Sequence, residues 1–241
     1  MTQNRVFLSA EWRDLAMLNY RVDPAILARF VPRGTELDFF QGTTYISVVG
    51  FQFLRTRIFG VLPVPFHVNF DEVNLRFYVR RREGDEVRRG VVFVKEVVPR
   101  RAIACVARWS YGEKYIACPM RHEISGAQSP SARYEWKFQN KWCGMGATAA
   151  SIPLLPQEGS LEQFITEHYW GYSTKRGGRS VEYRVSHAPW RVWTASKARF
   201  EGDGAGLYGE VFGECLSRPP DSAFIAEGSE VEVHMPRQIP V

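Results

Sequence analysis

With 241 residues, 45% of them hydrophobic and 14% aromatic, the chain can bury a sizeable core and is too rich in rings for a disordered segment. Its formal charge of +5 and pI of about 9.1 fit an anionic small-molecule ligand and are too mild to point to nucleic acid. No apolar run approaches the roughly 18 residues of a membrane helix, and Met1 to Arg13 lacks the apolar core of a signal peptide, so a cytoplasmic protein without a membrane partner is the default expectation.

The four cysteines, Cys105, Cys118, Cys143 and Cys215, are widely spaced with no CxxC pair. Reduced, mostly buried thiols are expected, not a disulfide framework. His67, His122, His168, His187 and His234 show no HxH or HExxH spacing, so no metal site is expected.

In chain order, Val6 to Trp12 reads as a first strand, and Tyr20 to Val22 stays extended. Asp23-Pro24 opens a short helix, with Asp as N-cap and Pro at the first helical position. Pro32 and Gly34 stop it. Glu36 to Phe40 is a short strand or turn. Thr43 to Leu54 is β-branched and aromatic, hence a strand. Gly50 inside it marks a bulge or a close backbone approach. Arg55 to His67, with Gly60, Pro63 and Pro65, reads as a long loop, either a cover over a site or a packing element.

Phe70 to Val79 (FDEVNLRFYV) is the most informative stretch. Alternation along a strand puts Val73, Leu75, Phe77 and Val79 on one face and Glu72, Asn74, Arg76 and Tyr78 on the other. The polar face meets solvent or lines a cavity. Arg80 to Arg89 is a charged turn centred on Gly84-Asp85, and Gly90 to Val98 returns as a hairpin strand buried on both faces. The arginines are read as a solvated hairpin tip, with a phosphate-binding patch as the alternative.

Arg100 to Trp109 has helical spacing of Ile103, Val106 and Ala107. Strands follow at Arg121 to Ser125, Ala132 to Asn140 and Lys141 to Ala150. Ser160 to His168 is a helix with Ser160 and Gln163 as a capping box. Strands are expected at Val181 to Ser186, Lys197 to Glu201, Leu207 to Glu214 and Glu230 to Met235, with Pro236 to Val241 a loose tail.

Four pieces in this order carry a family resemblance: YRVDPAILARFVPRGTELDFFQG, FDEVNLRFYV with GVVFVKEVVP, FITEHYWGY, and HAPW. Together they are similar to the YqjF-like family of uncharacterised bacterial proteins, a domain of unknown function. More remotely the chain resembles the acetoacetate decarboxylase-like superfamily. The resemblance implies a mainly β fold, a single domain over 1–241, with a central antiparallel β-barrel or cone, an internal cavity and a few short flanking helices. Oligomers are common among such proteins, so a homo-oligomer is consistent with it.

Acetoacetate decarboxylase works through a lysine that forms a Schiff base with a β-keto acid. Carried over position by position, the family's arginine seven residues before a Tyr-Arg pair falls on Arg13, before Tyr20-Arg21. Its strand glutamate falls on Glu72. Its Tyr-Pro-Lys-Lys stretch aligns with Tyr111-Gly112-Glu113-Lys114, so Glu113 takes the first lysine position and Lys114 the second. An adjacent Glu raises the amine's pKa where the chemistry needs it lowered.

The resemblance therefore implies a binding cavity for a small acid or keto acid. Lys114 and Glu72 are the catalytic candidates; Arg13, Asn74, Arg76, Tyr111, Tyr115, His187 and Trp190 are the ligand contacts, with no cofactor. The alternative is a non-catalytic sensing or interaction protein on the same fold. Each residue also has a structural reading: Lys114 as a surface lysine, Glu72 with Arg76 as an ion pair, and His187 as a satisfied structural histidine. Nucleic-acid binding through Arg80 to Arg101 lacks a motif and regularly interleaved aromatics, and is not expected.

Overall fold

The computed structural model describes residues 5–59, 62–63, 68–99, 114–126, 129–175 and 177–239. The first half runs β1 (Val6–Val22), α1 (Pro24–Ala28), β2 (Glu36–Leu37), β3 (Thr44–Ile58), β4 (Leu62–Pro63), β5 (Phe70–Glu83), β6 (Glu86–Val98) and β7 (Tyr115–Ala117). The second runs β8 (Met120–Ser125), β9 (Ser131–Phe138), β10 (Lys141–Ala149), α2 (Leu161–Thr166), β11 (Trp170–Thr174), β12 (Ser180–His187) and β13 (Val192–Glu201). It ends with α3 (Gly204–Tyr208), α4 (Glu210–Leu216), β14 (Ser222–His234) and β15 (Arg237–Gln238). The helix expected at Arg100 to Trp109 lies outside the described residues.

Seven strands close on themselves in the order β1, β3, β5, β6, β11, β12 and β14, because β14 pairs with both β12 and β1. The neighbours are antiparallel except β6 and β11, which meet in parallel at Gly90–Trp170 and Val91–Gly171. The expected barrel is thus an irregular ring with one short parallel seam. From β14 the sheet continues through β13, β10, β9 and β8.

This extension covers the outer face of the ring. Leu18, Val48, Leu75 and Phe77 pack there against Tyr134, Trp136, Met145 and Phe212. The two layers come close at Gly50: a Cβ on it would sit 2.5 Å from the Tyr134 ring and 2.8 Å from Met145 Sδ. The close approach expected from a glycine inside a strand is therefore against a fixed, buried ring. Gly50→Ala is expected to cost about 1–3 kcal/mol through overpacking, read as a lower denaturant midpoint at unchanged slope.

Local signals account for several elements. Asp23 caps α1 by accepting from Ala25 N at 2.8 Å. Ser160 caps α2 by accepting from Gln163 N, while Gln163 Oε1 accepts from Gly159 N. The β5–β6 hairpin turns at Gly84-Asp85. Three expectations need correction. Leu207 to Glu214 is not a strand but belongs to α3 and α4: Asp203 caps α3 at Gly206 N, Gly209 at φ 99° separates the helices, and Leu207, Val211, Phe212, Cys215 and Leu216 from the two helices pack on one core. The described part of the tail is not loose, since β15 pairs with β12 and Ile239 is buried. The charged hairpin is solvated only in part: Gly84 to Val87, Arg80 and Arg82 are exposed as expected, but Arg81 is buried and Arg88 half-buried against Glu182.

Among the described residues no helix is long and apolar enough to cross a membrane. The described cysteines, Cys118, Cys143 and Cys215, are free thiols.

Candidate functional site

Partners in an antiparallel ladder point to the same face. Arg76 pairs with Ser47 and Phe93, Asn74 with Val49 and Glu96, and Glu72 with Phe51. This face looks into the ring, because residues from strands that are not neighbours meet on it. Phe7 of β1, Phe93 of β6 and Tyr183 and Val185 of β12 form one apolar cluster. The polar face of FDEVNLRFYV is therefore interior: Glu72 is 3% exposed, Asn74 1% and Arg76 9%.

Glu72 and Arg76 do not pair with each other. Asn74 Nδ2 donates to Glu72 Oε1 at 3.0 Å. Arg76 Nη2 donates one long bond, 3.4 Å, to the Ile165 carbonyl of α2. Arg76 Nε, Asn74 Oδ1 and Trp12 Nε1 are buried without a hydrogen-bond partner. Among the described residues no carboxylate comes within ion-pairing distance of Arg76. A buried cation in that state is costly.

α2 covers one end of this surface. Phe164 packs on Tyr45 and Tyr78. Tyr78 OH contacts Ser47 Oγ at 2.6 Å, and Ser47 donates to Asn19 Oδ1. Next to Tyr78, His168 Nε2 donates to Asp38 Oδ2 at 3.2 Å, and Asp38 also accepts from Arg89 Nε at 2.7 Å.

The electrostatics follow from burial. Desolvation pushes the Glu72 carboxyl up to about 7, against the hydrogen bond from Asn74 and the charge of Arg76. Burial, then the nearby Glu72 and Glu96 carboxylates, raise the Tyr115 hydroxyl well above its ordinary value. Burial, with a smaller push from the charge of Arg76, lowers His168 and His187 to about 4, against the hydrogen bonds to Asp38 and to the Ala188 carbonyl. Burial would raise Asp38, but the bonds from His168 and Arg89 hold it below its ordinary value. At neutral pH the surface thus carries neutral imidazoles, a neutral Tyr115 phenol, the Arg76 guanidinium, the Arg89–Asp38 ion pair, and in Glu72 a carboxyl poised to exchange a proton.

The sequence-predicted residues divide between the two faces. Glu72, Asn74, Arg76, Tyr115, His187 and Trp190 come together. His187 stacks on Trp190 with centroids 4.1 Å apart, and both lie against Trp12. Lys114 does not join them. It is exposed, its Nζ 5.5 Å from the Phe30 ring. Tyr115, its neighbour in the chain, reaches the inside, and alternation sends Lys114 the other way. Arg13 also departs: it pairs with Gln52 on the outer face and donates to Glu11 at 3.2 Å. Tyr111 lies outside the described residues.

The family model for the DUF2071 uncharacterized conserved proteins matches residues 9–230. The chain belongs to the DUF2071 family. It is 28% identical to the uncharacterized protein YqjF of Bacillus subtilis over 187 residues, 76% of this chain and 74% of that one. Solved structures of similar fold include the acetoacetate decarboxylase of Legionella pneumophila, with TM-score 0.66 and 10% identity, covering 100% of this chain and 90% of that one. The enduracididine biosynthesis enzyme MppR, complexed with pyruvate, has TM-score 0.67 and 18% identity, covering 99% and 91%. An acetoacetate decarboxylase-like enzyme of Sphingomonas wittichii has TM-score 0.64 and 14% identity, covering 98% and 94%. These TM-scores, over nearly the whole chain, establish a shared acetoacetate decarboxylase-like fold.

Sequence reasoning missed Glu96, Tyr183 and the Asp38–His168 pair in this DUF2071 chain. Glu96 carried a signal: a carboxylate inside the apolar run GVVFVKEVV has to face something polar. Tyr183 could be read only as one face of an ordinary strand. Asp38 and His168 are 130 residues apart, and nothing local joins them.

Proposed function

We propose that the inner surface of the ring binds a small organic acid, a carboxylate or keto acid, with Arg76 as its anion anchor. The observation that carries this reading is the state of Arg76: buried, short of hydrogen-bond acceptors, and with no described carboxylate within ion-pairing distance. An anionic ligand would supply the missing acceptors in charge-assisted geometry. Asn74 Oδ1 and Trp12 Nε1 offer one acceptor and one donor to the rest of the molecule. Glu72, poised near neutrality, can give or take a proton at a second ligand oxygen. His187 stacked on Trp190, with Trp12 edge-on beside them, supplies an aromatic wall.

Of the two readings that the family resemblance leaves, binding without imine chemistry is the better supported. None of the chain's six lysines is buried, and Lys95, on β6, turns outward to the Leu207 carbonyl. We treat 1–241 as one domain, a reading supported by the way β1 and β14 close the same ring.

Calorimetric titration with pyruvate and acetoacetate tests the reading. The expected result is saturable binding that weakens at least tenfold in Arg76→Ala, is partly kept in Arg76→Lys, and is unchanged in Lys114→Ala. Equal affinity in a folded Arg76→Ala protein would sink it. A borohydride-trapped keto-acid adduct on any lysine would return the Schiff-base reading.

A further inference from the structure

The structure holds a second concave surface, on the outside of the ring. Along β12, Tyr183 and Val185 turn inward, so Glu182 and Arg184 turn outward. There a cleft of about 820 Å³ opens between β11, β12, the hairpin and the end of β14. Its charged lining is Arg5, Arg88, Arg184 and Arg237 against Glu86 and Glu182, with Trp170 and Met235 among its apolar walls.

The glutamates are already engaged. Glu182 accepts from Arg81, Arg88 and Arg237, and Glu86 accepts from Arg88. Arg5 and Arg184 have no carboxylate within ion-pairing distance among the described residues. Arg5 lies instead over the Phe59 ring, 5.0 Å from its centroid. His234, 6% exposed, lines the same cleft. Its Nε2 contacts Ser186 Oγ at 3.3 Å, while its Nδ1 is buried without a partner. Trp170 is held flat by the Arg88 guanidinium, 4.5 Å from its ring, and Met235 is 42% exposed. Glu232, on the same strand as His234, is near enough to favour its cation. Even with this acid at the edge, cations outnumber anions, and the free ones are arginines, whose planar fork matches an oxyanion.

We infer that this outer cleft is a second binding site, for a small organic anion with a flat apolar body: Arg5 and Arg184 take the anionic group, and Trp170 and Met235 take the body. A carboxylate and a phosphate ester share this chemistry. The site is independent of the inner surface, since the wall of the ring separates the two. The resulting assignment differs from both sequence readings of the hairpin arginines: Arg81 and Arg88 build the wall through Glu182, and other arginines face the ligand.

Calorimetry with benzoate, phenyl phosphate and inorganic phosphate tests the inference. At least one aromatic probe is expected to bind one equivalent, with affinity reduced tenfold or more in Arg184→Ala and again in Arg5→Ala, falling as salt is raised. Arg76→Ala should leave this binding unchanged, which separates it from the inner site. Tighter binding of phenyl phosphate identifies a phosphate group, and tighter binding of benzoate a carboxylate. Arg184 is exposed, and matching unfolding midpoints will show that its replacement leaves the fold intact. No saturable binding by any probe, binding indifferent to both arginines, or inorganic phosphate binding as tightly as phenyl phosphate would overturn the assignment.

Discussion

Glu182→Gln is expected to lower the unfolding free energy by about 3–5 kcal/mol, the range for breaking a buried charge network from one side. Glu182 is 0% exposed. It accepts from Arg88 Nη1 at 3.0 Å, from Arg81 Nη1 at 3.3 Å and from Arg237. The amide keeps the shape and removes the charge. Glu83 then remains as the carboxylate shared by Arg81, Arg88 and Arg237. Since Arg237 ties β15 to β12, amide exchange should rise first along Arg237 and Gln238. Breaking the exposed Arg80–Glu36 pair by Arg80→Ala is the control, expected to cost under about 1 kcal/mol. Equilibrium denaturation of both variants decides it: equal losses would mean that Glu182 is solvated in solution.

Glu72→Gln is expected to make the protein less sensitive to alkali. Its folded carboxyl is raised to about 7 from an ordinary value of 4.5. The folded state therefore holds the proton more tightly than the unfolded chain, and stability is lost as pH rises from the unfolded value through the folded one. The size follows from about 1.4 kcal/mol per unit. Between pH about 5 and 8.5 the parent should lose about 2–3 kcal/mol relative to the glutamine variant. The amide can still accept from Asn74, so the hydrogen bond that fixes the side chain survives. Urea midpoints at the two pH values measure the difference. Parallel pH profiles for parent and variant would show that Glu72 titrates normally. An acid bound at Arg76 should steepen the dependence, because a second negative charge inside the ring further favours the protonated carboxyl.

Much of the fold was legible because its signals are local. Val73, Leu75, Phe77 and Val79 repeat with the period of a strand, Gly84-Asp85 turns the hairpin, and Asp23 and Ser160 cap their helices with their own side chains. The failure at 207–214 has the same origin. Leu, Tyr, Val and Phe favour strands, and the helical spacing from Leu207 to Leu216 is split by Gly209 into helices too short to show a clear period. The hairpin arginines misled for the opposite reason. Their density suggested solvent, which holds for Arg80 and Arg82, but the partner that withdraws Arg81 and Arg88, Glu182, lies about a hundred residues further along the chain.

The candidate site was legible as a strand face and not as a site. Glu72, Asn74 and Arg76 could be grouped by alternation, while Glu96 was passed over although its apolar run carried a signal. Whether Lys114 or Tyr115 joined them depended on which of two adjacent residues faced the ring. Arg13 held its place in the family spacing, yet its strand turns it to the outer face beside Gln52.

What the sequence determined by itself is most of the long β-strands, their alternating faces, the family resemblance and the unusual polar content of one strand. Only the tertiary structure decided that this polar face looks inward, that no lysine is buried beside it, that Arg76 stands apart from Glu72, and that the hairpin arginines meet Glu182. The reason is physical. Periodicity is set by neighbours along the chain and fixes two faces without ranking them. The interior is chosen only when β14, at the far end of the chain, pairs with both β1 and β12 and closes the ring.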